Sequence, residues 1–329
     1  MKTIDTHAHI IPEGCFEPLR KKHQEYVPRV TIEGDNINVR TRWERETCPR
    51  SIVDLDLRLA EMERVGVKMQ VLSVSPTLTF YNIEPEAALD LNAAQNDAIA
   101  QVVEKFPDRF VGLATVPLQN IALSVDELER AVKELGLRGV EINTHIRGRN
   151  LDEKELWPFY QKAQELGVPI MLHPGFLTAT DRLERYYLAN LIGYPVESTI
   201  AGASIIFGGV LKDFPELKFY FVHGGGFLPY QRGRFEHGYR VREEPKVSIN
   251  QPPSEYFRLL YFDTVTHYLK ALEYLISSVG SNRVVLGSDY PFDMADPEPV
   301  ERVQSLTTIS ESDKERILWN NAAELFKLD

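Results

Sequence analysis

Cysteine is almost missing from this chain: Cys15 and Cys48 are the only two among 329 residues, and they lie in segments without Cys-x-x-Cys spacing. A disulfide framework is therefore excluded, and a reducing compartment fits. Also missing is any apolar run near the roughly 18 residues that a membrane span requires. The opening segment Met1-Lys2-Thr3-Ile4-Asp5 lacks the apolar stretch of a signal peptide. Basic residues are outnumbered, 37 Lys and Arg against 48 Asp and Glu, for a formal net charge of -11. With no basic stripe to neutralise phosphates, nonspecific nucleic-acid binding is excluded. The expectation is a cytoplasmic, soluble protein. No linker rich in Gly, Pro or Ser divides the chain, and no short-period repeat or low-complexity tract interrupts it, so residues 1–329 read as one domain.

What is present has globular proportions, 43% hydrophobic and 26% charged, in a chain long enough to bury a substantial core. Short β-rich runs alternate with longer amphipathic stretches. Eight runs are expected to be strands: 3–6, 69–74, 110–116, 139–143, 169–173, 218–223, 259–263 and 283–289. Runs such as Gln70-Val71-Leu72-Ser73-Val74 are nearly continuous apolar stretches, as in parallel strands covered on both faces. Between them, Val125, Leu128, Ala131, Val132 and Leu135 recur at helical spacing before Gly136, and 152–165 forms a second such pattern ending at Gly167. Eight strands separated by helices predict an α/β fold of the (β/α)8 TIM-barrel type, where a doubly wound sheet would more often have five to seven. Insertions are expected after strands 1 and 5, over 12–51 and 176–212. Both follow strands and so belong on the C-terminal rim, as lids or subunit contacts.

Histidines mark that rim. His7 and His9 are two apart, so on a strand both point to one face and can reach one cation. Alone, the pair could equally be solvated or core histidines. His173 ends the fifth predicted strand, His223 the sixth and Asp289 the eighth, and this convergence points to a metal site. His7, His9, His173 and Asp289 are the expected ligands; three imidazoles and one carboxylate suit Zn²⁺ and also admit Mn²⁺ or Fe²⁺. A cation so held keeps room for water and can lower its pKa to about 7. His223, with an ordinary pKa of about 6.5, is the expected general acid and base. Gly224-Gly225-Gly226 after a strand could cradle phosphate, yet no Lys-Ser/Thr follows. His173 could instead be a core histidine, and Asp289 could cap the next segment. His23, His145, His237 and His267 have no matching role.

Ile4-Asp5-Thr6-His7-Ala8-His9, Ile170-Met171-Leu172-His173-Pro174, His223-Gly224-Gly225-Gly226, Arg234, Pro252-Pro253-Ser254-Glu255-Tyr256 and Leu286-Gly287-Ser288-Asp289-Tyr290-Pro291-Phe292 together resemble the amidohydrolase superfamily. The branch they resemble is that of aminocarboxymuconate semialdehyde decarboxylase, and the likeness covers nearly the whole chain. It implies a barrel enzyme with one divalent metal, usually zinc, that performs nonoxidative C–C cleavage without an organic cofactor. In that branch the carboxylated carbon becomes tetrahedral before carbon dioxide leaves; some relatives protonate a phenolic ring carbon, and others catalyse hydration or hydrolysis. His7, His9, His173 and Asp289 match the family's ligands, and His223 its acid–base histidine, with Asp289 also in the catalytic pair. Arg234, eleven residues after His223, matches an arginine that reaches the neighbouring subunit's site in a homodimer.

A first-loop arginine should join it in binding substrate carboxylates; Arg45 is the choice, with Arg42 and Arg50 as alternatives, and any of them could be only a surface charge. Phe292 offers an apolar wall. After His173 the chain reads Pro174-Gly175-Phe176-Leu177, without the tryptophan expected of the semialdehyde decarboxylase itself, and Arg182, Arg185, Tyr186 and Tyr187 could reshape the pocket. Retention of His7 separates the chain from relatives with an acidic residue there, many of which use manganese on phenolic acids. The expected activity is decarboxylation of a small carboxylated aromatic or unsaturated acid. The alternative is hydrolysis of a lactone, amide or C–C bond by the same metal-activated water.

Overall fold

The computed structural model describes residues 2–12, 14–43, 45–178 and 180–328. In chain order, its strands are β1 (Ile4–Ile10), β2 (Arg29–Glu33), β3 (Asn36–Arg40), β4 (Arg45–Pro49), β5 (Met69–Val74), β6 (Phe110–Gly112), β7 (Val140–Asn143), β8 (Ile170–His173), β9 (Phe219–Phe221), β10 (Tyr261–Asp263) and β11 (Val284–Val285). β1, β5 and β6 pair in parallel, as do β7 through β11. Two isolated bridges join these arcs, Ala114 with Val140 and Ala8 with Tyr290. The second seam is reinforced where Thr6 N donates to Leu286 O at 2.8 Å and Asp289 N to His7 O at 2.8 Å. Eight parallel strands thus close into a barrel, as the alternation of the sequence predicts.

Alternation along each strand sorts its side chains into two cores. On β8, Ile170 and Leu172 pack outward beneath the helices, whereas Met171 points inward with Ile4, Val71, Val111, Tyr220, Tyr261 and Val285 to plug the barrel. The helix Asn321–Phe326 seals the bottom with Ala322, Leu325 and Phe326. His173, two residues beyond Met171, consequently faces inward at the top. β1 needs one more device. Its pairing with β5 slips between Asp5 and Ala8, three steps on β1 against two on β5. This bulge switches the inward parity, so that Ile4 joins the apolar plug while His7 and His9 face inward above it.

The helical patterns appear as Ile121–Lys133 and Trp157–Leu166, the second capped by Gly167 at φ 62°. Strand limits differ from expectation at the rim. β1 extends to Ile10, placing both its histidines within the strand rather than beyond it, and β11 is only Val284–Val285, because Leu286 N turns away to Ile317 O.

The first insertion is not an irregular lid: it folds β2, β3 and β4 into an antiparallel sheet. The alternation Ile37-Asn38-Val39 puts Ile37 and Val39 inward with Cys48, Phe16, Leu78 and Leu91 in a core of their own. In the second insertion, residues from 194 onward are simply the barrel helix Tyr194–Phe207.

A buried arginine unannounced by any pattern braces the rim. Arg58, on the helix Leu55–Val65, donates to Gln70 Oε1 at 3.0 Å and to the His9 carbonyl, and lies 4.9 Å from the Tyr290 ring centroid. Burial lowers its pKa to about 10, leaving it charged at neutral pH. Arg58→Ala should reduce unfolding free energy by about 3 kcal/mol, through the orphaned carbonyl and the lost packing. A urea denaturation midpoint equal to the parent's would show that the strut does not contribute.

Candidate metal centre

The inward-facing positions at the top of β1 and β8, and the chain just past β9 and β11, bring four imidazoles and one carboxylate together. The rings of His7, His9, His173 and His223 pack edge to face, with centroids of His7 and His9 5.0 Å apart, His9 and His173 4.8 Å, and His173 and His223 5.0 Å. Asp289 Oδ1 lies 3.2 Å from His7 Nε2 and 3.4 Å from His9 Nε2, while Oδ2 is 3.4 Å from His223 Nε2. Ligand atoms of His7, His173, His223 and Asp289 all fall within 4.8 Å of one another. His9 enters through its Nε2, 3.0 Å from that of His7. All five residues proposed from sequence therefore meet.

Tautomers follow from what each Nδ1 faces. Asp263 Oδ2 lies 2.8 Å from His7 Nδ1, the Val74 carbonyl 2.8 Å from His9 Nδ1 and the Pro174 carbonyl 3.1 Å from His173 Nδ1. Those acceptors require an N–H, so in its neutral form each ring directs its Nε2 lone pair inward. Two lone pairs 3.0 Å apart repel unless something positive lies between them. Buried His173 Nε2 likewise finds no hydrogen-bond partner among the described residues. Such a set of donors fits a divalent cation.

Electrostatics agree. Burial alone would lower the pKa of His7, but the carboxylates of Asp289 and Asp263 raise it to about 10, so positive charge is favoured at this point. Burial and the neighbouring charges of His9, His223 and His7 push His173 well below the ordinary range and keep it neutral. Burial opposes ionisation of Asp289, yet the His7 charge and hydrogen bonds from His223, His7 and His9 hold its carboxyl well below the usual value.

His223 differs from the other three. Its Nδ1 has no partner among the described residues, its backbone adopts φ 54°, and its side chain is 18% exposed. Asp289 has φ 66°. Positive φ in non-glycine residues is rare and concentrates at functional sites. The glycines after His223 answer to space: a Cβ on Gly225 would meet the Phe262 ring at 2.6 Å, and one on Gly226 the Pro195 carbonyl at 2.3 Å. Packing accounts for them without a phosphate.

A polar cavity of about 330 Å³ opens over the cluster, lined by His173, His223, Asp289 and Phe292 and by Arg45 and Glu46 of β4. Phe292 also packs on His9, centroids 5.1 Å apart. Arg45 reaches the cavity, whereas Arg42 pairs with Glu25 at 3.0 Å and Arg50 with Asp54 at 3.3 Å. Arg234 lies elsewhere, exposed on the helix Leu228–Val241 and outside this cavity. A second, largely apolar lobe of about 430 Å³ joins at His223 and Asp289, lined by Tyr194, Phe227, Val265, Tyr274 and Met294, with His267 at its wall. The remaining histidines have local partners where bonds are evident: His23 meets Asp90 at 2.7 Å and His145 meets the Phe176 carbonyl at 3.1 Å.

Sequence reasoning missed Asp263. Besides facing His7, it accepts from His223 N at 3.0 Å, Gly224 N at 2.7 Å and Val265 N at 3.1 Å. Its place at the end of the seventh strand, on the histidine rim, was the available signal.

Comparison with known proteins gives one consistent picture. The family model described as Amidohydrolase matches residues 4–328. The 2-amino-3-carboxymuconate-6-semialdehyde decarboxylase of Dictyostelium discoideum is 37% identical over 332 residues, covering 99% of this chain and 92% of the relative. The gamma-resorcylate decarboxylase of Polaromonas sp. is 29% identical, covering 83% of this chain and 87% of the relative. A solved dihydroxybenzoic acid decarboxylase from Polaromonas sp., with bound manganese and 2-nitroresorcinol, superposes with a TM-score of 0.82 at 25% identity, covering 99% and 97% of the two chains.

Asp263→Asn should weaken metal affinity about 10- to 100-fold, because the His7 ring loses the carboxylate that fixes its tautomer. Competition against a chromophoric chelator measures this; unchanged affinity would leave Asp263 with a purely backbone role.

Proposed function

Because the chain belongs to the amidohydrolase family, we propose that it is a metal-dependent nonoxidative decarboxylase, a carboxy-lyase acting on a small carboxylated aromatic or unsaturated acid. The observation that carries this reading is the asymmetry among the four histidines: three have Nδ1 anchored and Nε2 aimed inward, while the fourth, on a partly exposed side chain lining the cavity, has an Nδ1 without a partner among the described residues. We assign His7, His9, His173 and Asp289 to the cation and His223 to proton transfer. The cation, most simply zinc for three imidazoles and one carboxylate, supplies Lewis acidity and charge stabilisation. The named chemistry of the relatives supports the same reaction class.

The chain's own groups account for the rest. Arg45 holds the substrate carboxylate at the cavity wall, and Phe292 limits the plane in which the unsaturated carbon can lie. When the C–carboxylate bond breaks, its electron pair stays with the carbon skeleton and carbon dioxide departs. One proton must then reach that carbon, and His223 delivers it, with Asp289 orienting the ring through Nε2. Carboxylate and proton in, decarboxylated product and carbon dioxide out: no electron acceptor or organic cofactor is required.

We further infer one barrel domain over 1–329 working as a cytoplasmic homodimer. Exposed Tyr230 and Leu191 line the apolar lobe, and their chain neighbourhood adds exposed Ile192, as a patch fit for burial. Arg234, exposed and without an ion pair among the described residues, is free to enter a partner's site.

Purified protein assayed on carboxylated muconates, salicylates and resorcylates should release carbon dioxide in proportion to substrate lost. A cleaved or ring-opened acid without carbon dioxide would select hydrolysis instead. His223→Ala should keep most of its metal and lose turnover by about 10²- to 10⁴-fold; unaltered turnover would remove His223 from the reaction. Asp289→Ala should purify with most of its metal gone, and unchanged metal content by elemental analysis would overturn the ligand assignment.

A further inference from the structure

Glu46 is a carboxylate in the wrong company. It stands next to Arg45 on β4 and lines the same polar cavity as His173, His223 and Asp289, yet no lysine or arginine pairs with it among the described residues. Its Oε2 accepts from Ser75 Oγ at 2.9 Å and from Thr77 Oγ1 at 3.0 Å, and the Cys48 thiol is its other hydrogen-bonding neighbour. Hydroxyls hold the group in place without cancelling its charge. A cavity built only to receive carboxylates would gain nothing from an anion on its wall, since like charge repels the substrate.

The arrangement makes sense for a ligand with two ends. A substrate carboxylate is drawn to Arg45 and the cation site, and kept off the Glu46 wall by repulsion. Whatever part of the substrate meets Glu46 must bring an N–H or O–H, because a half-buried carboxylate that loses water without gaining a donor pays a desolvation cost. Sites of this kind discriminate strongly against analogues lacking the donor.

We propose that Glu46 is a specificity-determining residue that selects acids bearing a hydroxyl or amino donor beside the unsaturated, carboxylated carbon frame. The inference deepens the decarboxylase reading and rests on it for the substrate class. It differs from a bracing role, in which Glu46 merely ties β4 to the turn after β5.

Glu46→Gln separates the two roles. Its amide oxygen can still accept from Ser75 and Thr77, preserving the brace, while the second carboxylate oxygen becomes an NH₂ that offers a donor instead of an acceptor. Binding is measured by titration calorimetry on full-length, metal-loaded protein with benzoate and with the hydroxybenzoate and aminobenzoate isomers beside their methoxy counterparts. The parent should bind its best hydroxy or amino isomer at least about tenfold tighter than the matching methoxy acid, a difference one charge-assisted hydrogen bond supplies. In Glu46→Gln that ratio should collapse to about twofold or less, with metal content and melting temperature unchanged.

A parent ratio near one, a ratio that survives Glu46→Gln, or failure of every probe to bind would each overturn the proposal. Carbon dioxide release is read separately. Donor preference without decarboxylation of any acid would remove the activity and leave the selectivity; decarboxylation without donor preference would do the reverse.

Discussion

One irregularity in β1 governs the site. Strand alternation allows only every second residue to face into the barrel, and Ile4 already occupies the inward phase as part of the apolar plug. Without the slip between Asp5 and Ala8, the residues above Ile4 on the inward side would be even-numbered, and His7 and His9 would point out beneath the helices. The bulge lets a single strand serve an oily floor and a polar roof. Arg58 holding the His9 carbonyl and Gln70 bonding Asp5 Oδ2 at 3.0 Å keep that distortion in register.

The roof is then a matter of second partners. Asp263 takes hydrogen bonds from three backbone amides and faces His7, so the turn that carries His223 and the ring of His7 are positioned by one carboxylate. Ser288 Oγ donates to Asp5 Oδ2 at 2.6 Å, linking the segment that carries Asp289 back to β1. His223 and Asp289 both occupy positive φ, which costs about 1–3 kcal/mol each. The surrounding backbone hydrogen bonds hold them there, and the cost falls on the two residues to which the proposed reaction assigns the proton transfer and its orientation.

The barrel and its histidine rim were legible because both rest on local rules, period-two alternation and strand-end position, that one chain segment displays on its own. The helical periodicity over 125–135 and 152–165 was legible for the same reason, although the helices run Ile121–Lys133 and Trp157–Leu166. Arg58 and Asp263 were not legible as site residues, since their partners lie 49 and 256 positions away in His9 and His7. The sheet β2–β4 was read as a loop even though Ile37 and Val39 alternate with polar neighbours; its short strands and four arginines drew attention to charge instead of period. Arg45 could be separated from Arg42 and Arg50 only by seeing which of them already had carboxylate partners. Arg234 stands apart from the cavity, and the sequence position that singled it out has no local counterpart in the fold.

The sheet β2–β4 has its own small core of Ile37, Val39 and Cys48, and contributes Arg45 and Glu46 to a cavity whose metal-facing side comes wholly from the barrel. On the proposed reading, the reacting groups and the Arg45–Glu46 pair are thus encoded on separate pieces of chain that line one cavity. Such a division lets substrate preference drift by substitution in one short exchangeable module, while the reactive half of the pocket is inherited intact.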